Sequence, residues 1–149
     1  MRRMLLGMAV LGLGLWGVGA LPATAETRDE SPVAVHLSKG TNDLHAVVMA
    51  LKIARGLQAT GSKVTLVVDL EGVRLADARQ PADLAWGHGN PIGQYYDAFV
   101  KAGGKVLVCP HCAAAVGLDA RSLRAGAELA KSEEDLAAAL SAARTVIDY

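Results

Sequence analysis

Two short, nearly unbroken apolar runs constrain this chain most: residues 63–69 (KVTLVVD) and 105–109 (KVLVC), with a segment of helical periodicity between them. A strand with one wet face alternates apolar and polar residues, so a run that barely alternates must be covered on both faces. Strands of this kind alternating with helices imply a parallel sheet with helices on both faces. The rest of the chain extends the pattern. Residues 33–38 (VAVHLS) form another β-prone run, ending at the turn Lys39-Gly40. Thr41 is a suitable helix N-cap with Asp43 in the first turn. Leu44, Val47, Val48, Leu51 and Ala54 then recur at helical spacing until Gly61. Ile92, Tyr95, Tyr96, Phe99 and Val100 mark a second helix, closed by Gly103-Gly104, and the aromatic residues belong to a core or a subunit interface. Ser132 caps an acid-rich start, Glu133-Glu134-Asp135, that leads to Leu136, Leu140 and Ala143. Residues 145–148 read as a last strand and 127–130 as a very short one, while 71–89, broken by Pro81 and GHGNP, mix a short helix with loop. The expectation is an α/β fold on a mainly parallel sheet of about five strands.

The first residues address the compartment. Met1-Arg2-Arg3 is a basic start, residues 4–21 are apolar and interrupted by glycine, and Ala23-Thr24-Ala25 puts small residues where a signal peptidase reads. This layout predicts a secretory signal peptide over residues 1–25, cleaved before Glu26, and one domain over residues 26–149 that is periplasmic or secreted. A retained transmembrane helix competes for the same run, but its glycines weaken the helix. The whole chain carries 15 Lys+Arg against 15 Asp+Glu. It has no basic stripe, which argues against nucleic acid as a partner. No second hydrophobic run is long enough for stable membrane insertion after cleavage. There is no P-loop, and SKGTND lacks the glycine spacing of a dinucleotide site, so no cofactor is expected.

In such sheets, chemistry gathers beyond the carboxyl ends of the strands. Three such ends carry polar or reactive residues: Ser38-Lys39-Gly40, Asp69-Leu70-Glu71 and Cys109-Pro110-His111-Cys112. The last holds both cysteines of the chain. A bridge across two intervening residues constrains almost no chain entropy, so a purely stabilising disulfide explains the pair poorly. A cysteine between a strand and a helix receives positive charge from the helix start, which favours the reactive thiolate. On that argument Cys109 is the nucleophile, more accessible and more acidic than Cys112. The reverse order, with Cys109 buried and Cys112 presented, is the alternative. His111, Lys39, Asn42, Asp69 and His88 are the accessory polar candidates. Asp69 and Glu71 could pair as acid and base, although acidic residues at strand ends are more often solvated. CPHC is also the motif of DsbA-type oxidants, but thioredoxin-like domains carry it early and need a downstream cis-proline, and no proline follows Pro110. Cys109, His111 and Cys112 could instead ligate a metal, completed by His36, His45 or His88, although a single CxxC is a weak zinc signal.

Element order identifies a resemblance. The strand before SKGTND, the helix containing KIARGLQATG, and KVTLVVDLEGVRL, followed by YYDAFVKAGGKVLVC and AAAVGLDARSLRAG, resemble the DsrE/DsrF/TusD-like sulfur-relay family with its YchN-like fold. The resemblance spans about residues 33–148 and implies a three-layer α/β/α sandwich assembled as trimers or hexamers. It also implies a persulfide carried on the cysteine at the position of Cys109, and a sulfur donor or acceptor protein as partner. His111 and Cys112 depart from the usual carrier pattern, and the signal peptide makes this an exported member. Three readings follow: a sulfur carrier or sulfurtransferase-like protein, a small-ligand or metal-binding module, and a thiol–disulfide redox protein on a non-thioredoxin fold.

Overall fold

The structure, a computed structural model, describes residues 32–149; the expected signal peptide lies outside the described residues. Strands β1 (Pro32–Leu37), β2 (Lys63–Val68), β3 (Lys105–Val108), β4 (Ala127–Leu129) and β5 (Thr145–Asp148) form one sheet in the order β4-β3-β2-β1-β5. Every neighbouring pair is parallel. The helices are α1 (Leu44–Ala59), α2 (Ile92–Lys101), α3 (Pro110–Ala115) and α4 (Glu133–Ser141), with a 3-10 helix at Leu70–Ala76. The chain steps one way from β1 to β4, then returns to place β5 beside β1. Right-handed crossovers therefore set α1 and α2 on one face and α4 on the other, which makes the three-layer α/β/α sandwich.

The two faces divide by strand period. Val33, Val35 and Leu37 of β1, Val64, Leu66 and Val68 of β2, and Val106 and Val108 of β3 share one core with Val47, Val48, Leu51, Tyr96 and Phe99 of α1 and α2. Alternation sends Ala34, His36, Thr65, Val67 and Leu107 to the opposite face. There the register aligns Ala34 with Thr65 and Val146, and His36 with Val67 and Asp148. Helix α4, which lies over β2, contributes no fully buried residue. No described helix is long and apolar enough to cross a membrane.

Several element ends differ from the sequence expectation. Helix α1 is capped by Asp43, whose carboxylate accepts the Ala46 N–H at 3.0 Å, and not by Thr41. The reason is a turn that consumes the intervening residues: Asn42 Oδ1 accepts the Gly40 N–H at 2.8 Å, and Gly40 O accepts the Asp43 N–H at 3.0 Å. Asp69 and Cys109 both leave their strands, one ahead of the 3-10 helix and the other as the N-cap of α3. The 3-10 helix crosses the end of β1 at van der Waals range. A Cβ at Gly72 would collide with the Leu37 carbonyl, and one at Gly40 with that of Glu71. Only glycine at both positions lets the loop after β1 and the segment after β2 interlock.

Candidate functional site

The thiol pair sits where β3 turns into α3. The Cys109 N–H donates to Val68 O at 2.9 Å, which ties the residue to the end of β2. Its Sγ accepts the Cys112 N–H at 3.5 Å, so the sulfur itself caps the helix. Pro110 occupies the first turn, where no intrahelical N–H is needed, and Gly117, at φ 68°, follows the end of the helix. The six-residue helix supplies little macrodipole, so what the helix start offers the Cys109 sulfur is this one aimed amide.

Exposure runs opposite to the expectation for the nucleophile. Cys109 is 7 % exposed, and Cys112 is partly buried. Burial pushes the Cys112 thiol above the ordinary cysteine range, and the Cys109 side chain and the negative charges of Cys109 and Asp69 push it further. The Leu70 backbone N–H pulls the other way. Leu70 is the one non-glycine residue at positive φ among the described residues, at 43°. Its side chain points into solvent and is 63 % exposed. Such strain persists only where surrounding structure imposes it, and it gathers at functional sites.

Behind Leu70 lies a polar cluster. His36 Nε2 is 3.0 Å from Asp69 Oδ2, and His36 Nδ1 is 2.6 Å from Asp148 Oδ1. Burial, the largest single influence on the ring, lowers its proton affinity. The hydrogen bonds and charges of Asp69 and Asp148 outweigh it, so the His36 pKa lies above the usual histidine value. Asp69 Oδ1 is buried with no hydrogen-bond partner. In the sequence, His36 stands out only as a spare metal donor, and nothing singles out Asp148. The position of His36 on the strand phase opposite Val35 and Leu37 was readable, but its pairing with Asp148 needs β5 to return beside β1.

The other candidates scatter. His111, Lys39 and His88 are exposed, and Asn42 is spent on the turn before α1. Glu71 pairs with Arg74 at 2.6 Å and not with Asp69, so the paired-acid reading gives way to a local i,i+3 bridge. His45 stacks on Trp86, with ring centroids 3.9 Å apart. Tyr96 and Phe99 are core residues. Among the described residues, no three of His, Cys, Asp and Glu are gathered to hold a metal ion, so Cys109, His111 and Cys112 do not converge as a ligand set. A cavity lined by Leu44, Leu75, Ile92, Arg74 and Arg124 lies apart from the cysteines and has space of about 30 Å³, enough for a water or two.

The sequence model of the DsrE/DsrF-like family matches residues 32–149. The fold is similar to the crystal structure of the ychN protein from E. coli, with 19% identity and a TM-score of 0.67, covering 80% of this chain and 99% of that one. It is also similar to MTH1491, a protein of unknown function from Methanobacterium thermoautotrophicum, with 15% identity and a TM-score of 0.63, again covering 80% of this chain and 99% of that one. No curated protein matches. At these identities the structural likeness speaks for the fold alone.

Proposed function

The chain belongs to the DsrE/DsrF-like family, which is generally related to sulfur relay, and we propose that it is an exported sulfur carrier or sulfurtransferase-like protein working through Cys109 and Cys112. The observation that carries this reading is the Cys109 sulfur capping α3 under the Cys112 N–H. An amide aimed at sulfur stabilises the negative charge that a thiolate and a persulfide both bear. The Cys109 thiolate attacks the terminal sulfur of a polysulfide or protein persulfide. The donor's S–S bond breaks, its thiolate leaves with the electron pair, and Cys109 holds the sulfur as a persulfide. An acceptor thiolate then takes the outer sulfur and returns Cys109 as thiolate. In a second exit, the deprotonated Cys112 sulfur attacks Cys109 Sγ, expels hydrosulfide and leaves a Cys109–Cys112 disulfide for an external dithiol to reduce. The raised pKa of Cys112 suits a resolving role, because it stays a protonated partner until a base takes its proton.

A redox role without sulfur transfer is the second reading, favoured by the closeness of the two residues, whose one hydrogen bond runs from the Cys112 N–H to Cys109 Sγ at 3.5 Å. Polysulfide challenge followed by intact mass separates the two. The sulfur-carrier reading expects an adduct of one sulfur atom that is lost in Cys109→Ser and persists longer in Cys112→Ser. An adduct that survives Cys109→Ser and vanishes in Cys112→Ser reverses the roles. Rapid disulfide formation with no sulfur adduct in any form supports the redox reading. Members of the family are often oligomeric, and we place self-association on the face of α4 and β5, where Val146 is 49% exposed. Light scattering that gives a monomer at micromolar concentration removes that part of the proposal.

A further inference from the structure

The His36 cluster reaches the thiol pair through a single residue. Val68 O accepts the Cys109 N–H at 2.9 Å, and the 3-10 helix that begins at Leu70 packs against α3, which carries Cys112. Asp69 stands between these two contacts, at the junction where β2 meets the segment that carries the thiols. One of its oxygens is held by His36 Nε2 at 3.0 Å; the other, Oδ1, is buried without a hydrogen-bond partner. His36 is therefore the group that answers the Asp69 charge.

We propose that His36 is a positioning residue for the thiol pair, gripping Asp69 through Nε2 and Asp148 through Nδ1 and so setting how much negative charge faces Cys112. The proposal rests on the reading that this pair is the reacting site. The physical basis is the hydrogen-bond inventory of imidazole. The charged ring carries two N–H groups and donates to both carboxylates, whereas the neutral ring carries one and turns a lone pair towards the other carboxylate. While His36 is protonated, Asp69 is neutralised and a thiolate next to it costs less. Once the ring loses its proton, the Asp69 charge is unanswered and opposes a second negative charge at Cys112. The titratable groups facing the ring are Asp69, from the end of β2, and Asp148, from β5. Asp69 in turn acts on Cys112 of α3.

A merely structural histidine would change thiol reactivity by the same factor at every pH, whereas this one would not. The test is the rate of iodoacetamide alkylation at Cys112, localised by peptide mass, across the pH range in which histidine titrates. The ratio of wild-type to His36→Asn rates is expected to be about fivefold on the acid side and to fall to one on the alkaline side. In the Asp69→Asn background, the same exchange at His36 should change nothing. Asp148 is 74% exposed, so Asp148→Asn leaves the core intact; it should shift the fall in the ratio to lower pH by weakening the hold on the proton. A ratio that is constant with pH, a ratio that persists without Asp69, or a fall that ignores Asp148 would each overturn the proposal. Alkylation needs no sulfur donor. Failure of persulfide loading therefore removes the proposed function and leaves this coupling standing, and a flat ratio does the reverse.

Discussion

The two faces of the sheet are built to different standards. Under α1 and α2, three strands contribute branched aliphatic residues that interdigitate with Val47, Leu51, Tyr96 and Phe99. Under α4, the same strands present Ala34, Thr65, His36, Val67 and Leu107, of which only Ala34 and Val67 are buried, and the covering helix has no buried residue. One face therefore carries most of the apolar burial that holds the domain together. The other is free to carry polar groups, and its His36 and Asp148 lead directly to Asp69 and the cysteines. Stability and chemistry are separated by the two-residue period of a strand: Val35 and Leu37 point to one side and His36, between them, to the other.

The largest effect should come from breaking the closed face. Leu66 is fully buried at the centre of the sheet, so Leu66→Ala is expected to cost about 3 kcal/mol in denaturant unfolding, from lost burial and the cavity left behind. Val146→Ala, on the open face, should cost no more than about 0.5 kcal/mol in a monomer. If Val146→Ala costs as much as a core exchange and the loss shrinks on dilution, the open face is closed by a second copy of the chain.

That contrast also marks what the sequence could convey. The strands 63–69 and 105–109, both main helices and the parallel sheet were readable because the closed face writes itself as apolar periodicity in residues such as Val47, Leu51, Tyr96 and Phe99. The cysteine motif was readable because strand ends are where this class of sheet places reactive groups. The His36–Asp148 contact was not, since the two residues are far apart in sequence and meet only because β5 pairs with β1. Thr41 misled as a cap because the Asn42 side chain and the Gly40 backbone form a turn that no propensity scale contains. The relative exposure of the cysteines was likewise hidden. Cys109 is buried because it is tied to Val68 at the sheet end, a fact of register and not of motif.

A middling effect should appear in the pH dependence of stability. The pKa of folded His36 is raised by its two carboxylates, so the folded state holds the proton more tightly than the unfolded chain does. The stabilisation is fully present below the ~6.5 of a free imidazole and is lost as pH rises through the folded value. His36→Asn should therefore be less stable than wild type by about 1 kcal/mol at pH 6 and should converge on it at alkaline pH, a modest size because Asp148 is well solvated. Urea unfolding at both pH values checks this. A difference that grows with pH would mean that the neutral ring is the native form.

The smallest effect should come from Leu70, where the two faces meet at the strand end. A leucine at φ 43° carries a left-handed penalty of about 1–2 kcal/mol, and glycine would remove it. Glycine also loosens the unfolded chain, at a cost of up to about 1 kcal/mol. Because the Leu70 side chain is 63% exposed, little burial is lost in the exchange. Leu70→Gly is therefore expected to change stability by less than about 1 kcal/mol, with a gain more natural than a loss. Leu70→Val should lose about 1 kcal/mol, since a β-branched residue tolerates positive φ worse than leucine does. Thermal melts of both variants, run at two protein concentrations, separate the backbone from the surface. If Leu70→Gly is clearly destabilised, and only at the higher concentration, the leucine side chain is buried against another molecule at the mouth of the thiol site. The open side of the sheet would then extend to Leu70, and the boundary between the two faces would lie at Asp69.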